Sequence, residues 1–171
     1  EKIELLKTYF QQEEEHNLVY AFHFLMGKNL GRFCSSKDMR QWCANWLNLP
    51  QWLVDETVDI VGDNSESIAS IFNTSQSTNK LSIADICVEI KKRKSDHVTE
   101  KKDWIISQWS TMSSDQIYCF NKLLGGGLRI GATKKNVLKA LSEVVNISPQ
   151  VLEHRCMGHW KPTINHFRDL I

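Results

Sequence analysis

Apolar residues recur at intervals of three and four positions along most of the chain, with no convincing run of alternating apolar and polar residues. Spacing of this kind places apolar side chains on one face of a helix. One such stripe ends at Gly27 and consists of Leu18, Tyr20, Ala21, Phe24 and Leu25. The pattern predicts an all-α fold with about ten or eleven short helices.

Residues that favour the first position of a helix precede most of these stripes. Serine and threonine side chains can accept a hydrogen bond from the free N–H groups of a first helical turn. The predicted caps are Ser35 or Ser36, Ser82, Thr99, Ser113 or Ser114, Thr133, Ser148 and Thr163. Pro50 is predicted as the first residue of a helix that ends at Gly62. The polar stretch 73–80 (NTSQSTNK) is predicted to be a surface loop.

Two parts of the chain resemble each other at a separation of 98 positions. Tyr20, Leu25, Leu30 and Asn48 correspond in this way to Tyr118, Leu123, Leu128 and Asn146. In both copies an apolar helix ends in glycine, a loop carries basic residues, and a hydroxyl residue opens the next helix. The repeat predicts a single domain, residues 1–171, made of two pseudo-symmetric halves of about 1–95 and 99–171.

The net charge of +1 conceals an uneven distribution of charge along the chain. No acid occurs between Gln116 and Ser142, and none occurs between His16 and Lys37. The first stretch contains Lys122, Arg129, Lys134, Lys135 and Lys139, and the second contains Lys28, Arg32 and Lys37. Positive charge is thus concentrated around the two repeated loops, which favours a polyanionic partner.

The second loop, GGGLRIGATKK at 125–135, is the stronger candidate for binding. One glycine suffices to end a helix, and three let a ligand approach the backbone closely. Lysines in the first turn of the next helix oppose its dipole, a cost that a bound anion offsets. The residues expected to contact the ligand are Gly126, Gly127, Arg129, Gly131, Thr133, Lys134 and Lys135. Taken alone, the glycines are also compatible with an ordinary flexible connection.

The first loop, GKNLGRFCSSK at 27–37, offers similar groups in similar places. Its expected contacts are Lys28, Arg32, Ser35 and Ser36. Each lysine by itself is better explained as an ordinary solvated charge, and the repetition is what favours binding. The run KKRK at 91–94 is compatible with a nuclear localisation signal or a phosphate contact, but it is predicted to be the solvated end of a helix, where cations suit the dipole.

No other constellation in the sequence predicts chemistry by this chain. Five cysteines without a C-x-x-C spacing indicate buried, reduced thiols. His154, Cys156 and His159 have a poor spacing for zinc, so no metal site is expected. A P-loop and the K-x-D-G motif of nucleotidyl transfer are absent from the sequence. No catalytic residue and no bound cofactor are therefore predicted.

Four segments resemble the N-terminal DNA-binding domain of ATP-dependent DNA ligases, especially the bacterial type. They lie at 23–42, 50–69, 120–141 (FNKLLGGGLRIGATKKNVLKAL) and 154–163 (HRCMGHWKPT). The resemblance implies an all-helical domain whose loops hold the minor groove and backbone of duplex DNA on either side of a nick. It assigns DNA contacts to the loop residues named above. It also assigns His154, Arg155, Gly158, Trp160 and Pro162 to packing or to a junction with the next domain.

The same resemblance implies that the catalytic lysine, ATP and Mg²⁺ belong to domains beyond Ile171. The expected partners are nicked double-stranded DNA and those catalytic domains of the same polypeptide, in a monomeric, cytoplasmic, nucleoid-associated protein. Two alternatives from other classes remain at this point. One is a helical protein-interaction module that binds an acidic partner through its basic loops. The other is a helical repair enzyme such as a glycosylase, for which no catalytic Asp or Lys is evident.

Overall fold

The computed structural model describes residues 1–128 and 131–171, and these contain eleven α-helices and no strand. The helices are α1 (Lys2–Gln12), α2 (Glu15–Leu25), α3 (Ser36–Trp46), α4 (Gln51–Val61), α5 (Asn64–Phe72), α6 (Ile83–Lys92), α7 (Val98–Trp109), α8 (Ser114–Leu124), α9 (Lys134–Val145), α10 (Pro149–Cys156) and α11 (Ile164–Leu170). The predicted all-α class is confirmed. Within the described ranges, no helix is long and apolar enough to cross a bilayer.

Five of the eleven described helices begin with a side-chain cap at a predicted position. Ser35, Ser113, Thr133, Ser148 and Thr163 each accept a hydrogen bond from a backbone N–H in the first turn that follows. Each cap satisfies an N–H group that has no partner within its own helix.

Two predicted helix starts are wrong by one or two positions. Thr99 lies inside α7, and His97 is the cap, because its Nδ1 accepts from the N–H of Thr99 at 3.3 Å while Glu100 completes the capping box. Pro50 precedes the first residue of α4 instead of being that residue. Its extended backbone, with ψ at 136°, keeps it outside the helix.

One compact packing unit consists of Glu1–Asn29, Ser82–Ala84 and Leu128–Ile171. Its main pairing is between α1 and α9, with α2, α10 and α11 beside them. The core includes Phe10, Phe22, Leu141, Leu152 and Phe167, all of them buried. Burial of these apolar side chains, worth about 1.5–3 kcal/mol each, holds the first packing unit together.

The second packing unit consists of Leu30–Leu81 and Asp85–Gly127. Here α5 packs along α8, with α3, α4 and α7 beside them. Trp109 is 1% exposed, and its indole N–H donates to the Oδ1 of buried Asn121 at 2.9 Å. The ring of Trp104 meets Phe33 and Phe120 edge-on, each at 5.5 Å. Trp104 and Trp109 therefore supply core in this unit, whereas Trp46 and Trp52 are 38% and 64% exposed.

Each packing unit combines helices from distant parts of the chain. The first joins α1 and α2 to α9, α10 and α11, and the second joins α7 and α8 to α3, α4 and α5. Corresponding turns lie 98 positions apart, as with Asn48 and Asn146, whose φ values are 52° and 55°. The two units are defined by packing, and each contains residues from both sequence halves. The halves 1–95 and 99–171 therefore stay a prediction.

The five cysteines are free thiols, and four of them are buried. Burial raises the pKa of Cys34, Cys43 and Cys87 to about 12. Cys119 is exposed, so the prediction of buried thiols is wrong for that residue. It lies on α8 next to buried Phe120, and only one face of that helix packs inward.

Candidate nucleic-acid interface

The first loop leaves α2 through a tight turn at Gly27. This glycine has a φ of 75°, its N–H donates to the carbonyl of Phe24 at 2.8 Å, and the N–H of Lys28 donates to His23 at 3.1 Å. The two bonds close the helix end and fix the direction of the loop. A Cβ on Gly27 would lie 3.1 Å from the Cε of Lys134. The first packing unit therefore places the predicted site residues Lys28 and Lys134 near each other.

The second loop leaves α8 through the same kind of turn. Gly126 has a φ of 98°, and its N–H donates to the carbonyl of Leu123 at 3.2 Å. The N–H of Gly127 donates to Lys122 at 3.1 Å. Both repeated helices thus end in a left-handed glycine with two bonds back to the last turn. The repeat aligns Gly27 with Gly125, whose φ is −71°, so the left-handed glycine of the second loop lies one position later than the repeat predicts.

In the second packing unit, the glycines of the second loop lie against the backbone of the first loop. A Cβ on Gly126 would lie 3.4 Å from the backbone nitrogen of Arg32. The next residue, Phe33, donates its N–H to the carbonyl of Leu124 at 2.9 Å. A Cβ on Gly127 would meet nothing within 4 Å. The contact at Gly126 is an ordinary van der Waals one, so its positive φ is what requires glycine, whereas Gly127 leaves open space for a ligand.

The start of α9 presents exposed positive charge beside a fixed cap. Thr133 accepts from the N–H of Asn136 at 3.2 Å, which leaves its hydroxyl hydrogen for another partner. Lys134 and Lys135 follow at once, both exposed, and the first turn of α9 contains no acid. The carbonyl of Gly131 accepts from the ammonium of Lys2 at 3.2 Å. An anion at this helix start would meet both the dipole and the lysines.

The two serines of the first loop differ in what their hydroxyls can do. Ser35 donates to the carboxylate of Asp38 at 2.7 Å and accepts from its N–H at 3.0 Å. Ser36 is the exposed first residue of α3. Of the pair, Ser36 has the freer side chain, and Arg32 is exposed three residues before Ser35.

Two lysines that the sequence did not assign to the site support the first loop. The ammonium of Lys94 donates to the carbonyl of Leu30 at 2.8 Å, and Lys101 lies 5.0 Å above the ring of Phe33. Gly31 has a φ of 79°, which favours glycine there, and a Cβ on it would lie 2.7 Å from the Nζ of Lys94, the flexible end of that side chain. The basic run KKRK drew attention to Lys94 in the sequence. Its contact with the first loop could not be predicted, because the two are more than 60 positions apart.

Arg129 lies outside the described residues, as does Ile130. Its expected contact with the ligand therefore stays a prediction from its place in the loop. Lys122, another cation of the same stretch, forms an ion pair with Asp63, which neutralises it within the second packing unit.

The segment 154–163 contributes to packing in the first unit. Trp160 lies 5.5 Å from the ring of Phe22 and 5.2 Å from the ring of His23. Cys156 is buried, and burial raises the pKa of its thiol. Nowhere in the described part of the chain do three His, Cys, Asp or Glu side chains form a group that could hold a metal ion.

A family model described as the DNA ligase N terminus matches residues 1–142, which is more than half of the chain. The chain belongs to this DNA ligase N-terminal family. The match confirms the resemblance and supports an N-terminal domain of an ATP-dependent DNA ligase. No curated protein matches the sequence.

The matched range covers both loops of the ligase domain and ends within α9. The segment 154–163, expected to resemble the family, lies beyond it. In the first packing unit the ligase domain places Lys28, Gly131, Thr133, Lys134 and Lys135, and in the second it places Arg32, Ser35, Ser36, Gly126 and Gly127. Each unit thus contains candidate residues from both loops.

Proposed function

We propose that this ligase domain binds nicked duplex DNA through its phosphates and minor groove, without preference for sequence. The observation that carries the proposal is the pairing of glycine turns with basic residues of the other loop. Gly27 lies beside the side chain of Lys134 in one unit, and in the other Gly126 lies against the backbone of Arg32, an exposed residue of the first loop. Close backbone approach next to cations is what a phosphate backbone requires, and it carries no information about base sequence.

In this proposal the domain supplies affinity and the rest of the enzyme supplies chemistry. Membership of the family implies that the parent protein is a DNA ligase. The lysine that accepts the adenylate, together with ATP and Mg²⁺, would belong to catalytic domains of the same polypeptide. This chain alone would hold the DNA as a monomer and would not form an adenylate. Incubation with labelled ATP should therefore leave no covalent label on it.

Affinity measured against salt concentration tests the phosphate contacts. If about five phosphates are neutralised, the logarithm of the affinity should fall with the logarithm of the salt concentration at a slope of roughly −4 to −5. Fluorescence anisotropy with labelled nicked duplex gives this slope directly. An affinity that does not change with salt would contradict the proposal.

Comparison of DNA forms separates this proposal from a protein-interaction module. Nicked duplex, intact duplex and single strands of the same sequence are titrated in parallel. The proposal predicts tighter binding to duplex than to single strands, and equal binding to unrelated sequences. A module that binds acidic proteins would show no preference for duplex.

A further inference from the structure

A groove lies between α9 and the start of α10 in the first packing unit. Its volume is about 490 Å³, within the range of pockets that hold small ligands. The residues that line it and bear on its chemistry are Lys134, Lys135, Leu138, Lys139, Pro149 and Gln150. The groove extends from the predicted site at the start of α9 to residues that neither loop contains.

The charge of the groove favours an anion. Lys134, Lys135 and Lys139 are exposed on α9, and within the described residues none of the three forms an ion pair. Glu153 on α10 is the one acid among the residues that line the groove. Three ammonium groups against one carboxylate leave an excess of positive charge that a phosphate would neutralise.

Leu138 and Pro149 give the groove an apolar part, and local hydrogen bonds hold the turn between the two helices. Leu138 is 5% exposed, and Pro149 is the first residue of α10. Between the helices, the N–H of Ile147 donates to Ser142 at 3.1 Å, and Ser148 caps α10. The turn is therefore fixed. Apolar side chains next to ammonium groups are complementary to a sugar ring next to its phosphate.

We propose that this groove binds a sugar–phosphate segment of the DNA backbone. The phosphate is bound by Lys139 and by the side-chain amide of Gln150, and the sugar rests on Leu138 and Pro149. Glu153 faces the same phosphate and limits the affinity. The proposal rests on the proposed DNA binding. It adds a defined contact outside the loops, partly beyond the residues that the family model matches.

Gln150→Glu provides the sharpest test, because it places a carboxylate where the phosphate is expected. A carboxylate in the first turn of α10 favours the helix dipole, so the fold should be retained. Affinity for nicked duplex should fall about tenfold through like-charge repulsion. Anisotropy titration gives the affinity, and the circular dichroism spectrum and melting temperature give the state of the fold.

Glu153→Gln should act in the opposite direction and tighten binding about threefold, because it removes the repelling carboxylate. Lys139→Gln should make the salt slope less steep by about one. The matched control is Lys161→Gln, an exposed lysine of the same unit that does not line the groove. The slope of this control should equal that of the wild type.

The outcomes separate this inference from the proposed function. Wild-type affinity in both Gln150→Glu and Glu153→Gln, together with weaker binding by Arg32→Gln, would overturn the groove and leave DNA binding intact. Absence of duplex binding by the wild type would overturn both. The last measurement is the thermal stabilisation of each variant by sodium phosphate. If the groove variants alter only the thermal stabilisation by sodium phosphate, the groove holds free phosphate and the inference is wrong.

Discussion

Neighbouring glycines in the second loop are required for different physical reasons. Gly126 has a φ of 98° and lies against the backbone of Arg32, whereas Gly127 faces open space. Residues with a side chain rarely adopt a positive φ, so Gly126 serves the fold. Gly127 has no such requirement in the protein itself, and its missing side chain leaves room for the DNA.

Valine substitutions at these two positions should have different effects. Gly127→Val should keep the melting temperature and weaken the affinity for nicked duplex, because the side chain blocks approach to the backbone. Gly126→Val should lower the stability by about 1–2 kcal/mol or more, because of its backbone conformation. Thermal melting and anisotropy measured on both variants check this. Wild-type affinity in a folded Gly127→Val protein would remove that glycine from the site.

For single residues, the sequence predicted where the helix caps lie better than it predicted what each residue contacts. The caps at Ser35 and Thr133 follow from residue type and from the apolar stripe behind each of them. That the Ser35 hydroxyl is bound to Asp38 depends on side-chain rotamers, which no pattern encodes. The distinction between Gly126 and Gly127 depends on the backbone conformation of Gly126, which a run of three glycines does not reveal.

Asp63 joins two helices of the second packing unit. It caps α5 by accepting from the N–H groups of Ser65 and Glu66 at 2.9 and 3.0 Å, and it forms an ion pair with Lys122 of α8. Burial of Asp63 opposes its ionised form, but the Lys122 ammonium and the two N–H groups outweigh it. The pKa of Asp63 therefore lies below its ordinary value.

Substitution of Asp63 should separate its cap from its charge. Asp63→Ala should cost about 1–2 kcal/mol by loss of the cap, and Asp63→Asn should cost less, since asparagine also caps helices. Because the pKa is lower in the folded state, the contribution of the charge is complete above the unfolded value, near 3.9, and is lost as pH falls through the folded value. Urea unfolding at pH 7 and at acidic pH measures both.

The matched control for the acid dependence is Asp59→Asn, an exposed acid of α4 with no ion pair among the described residues. This control should keep the wild-type loss of stability on acidification. The Asp63→Asn variant should lose less stability than the wild type over the same pH range. An equal loss in both variants would show that Asp63 does not titrate as its contacts imply.

At the scale of elements, the stripes predicted which face of each helix is buried and could not predict its partner. Phe10 of α1 and Leu141 of α9 share one core, and the spacing of apolar residues is the same for any pairing of two helices. Thr99 shows a second limit. The sequence suggested it as a cap because hydroxyl residues are frequent caps, and the neighbouring His97 accepted the bond instead.

The packing units predict how the chain responds to division. The pairs α1 with α9 and α5 with α8 both join residues from opposite sides of position 95. A fragment of residues 1–95 should therefore have low helicity and no cooperative melting, because isolated helices of this length are marginal in water. Circular dichroism of the fragment measures this.

Addition of a second fragment, residues 96–171, provides the control for that experiment. The mixture should regain helical signal and a cooperative transition, because the missing partners are restored. Cooperative melting of 1–95 by itself would show that each sequence half is an independent folding unit. The contact between α1 and α9 would then be dispensable.

For the whole molecule, the sequence predicted the class and the family, and it left open which helices share a packing unit. The repeat aligns Asn48 with Asn146, and both residues have a positive φ. It could not show that Lys134 lies beside Gly27, because similarity between two segments carries no information about which segments pack together. Contacts between distant residues decide that, and they appear only in three dimensions.

Because α1 pairs with α9, it must wait for its partner helix while the chain is being synthesised. About 130 residues separate the starts of the two helices, so a ribosome adding about 5–20 residues per second makes α9 roughly 6–25 s after α1. During that interval the apolar side of α1, including Leu6 and Phe10, lacks its main partner. The nascent chain therefore exposes this apolar surface to water for many seconds before its partner helix is made.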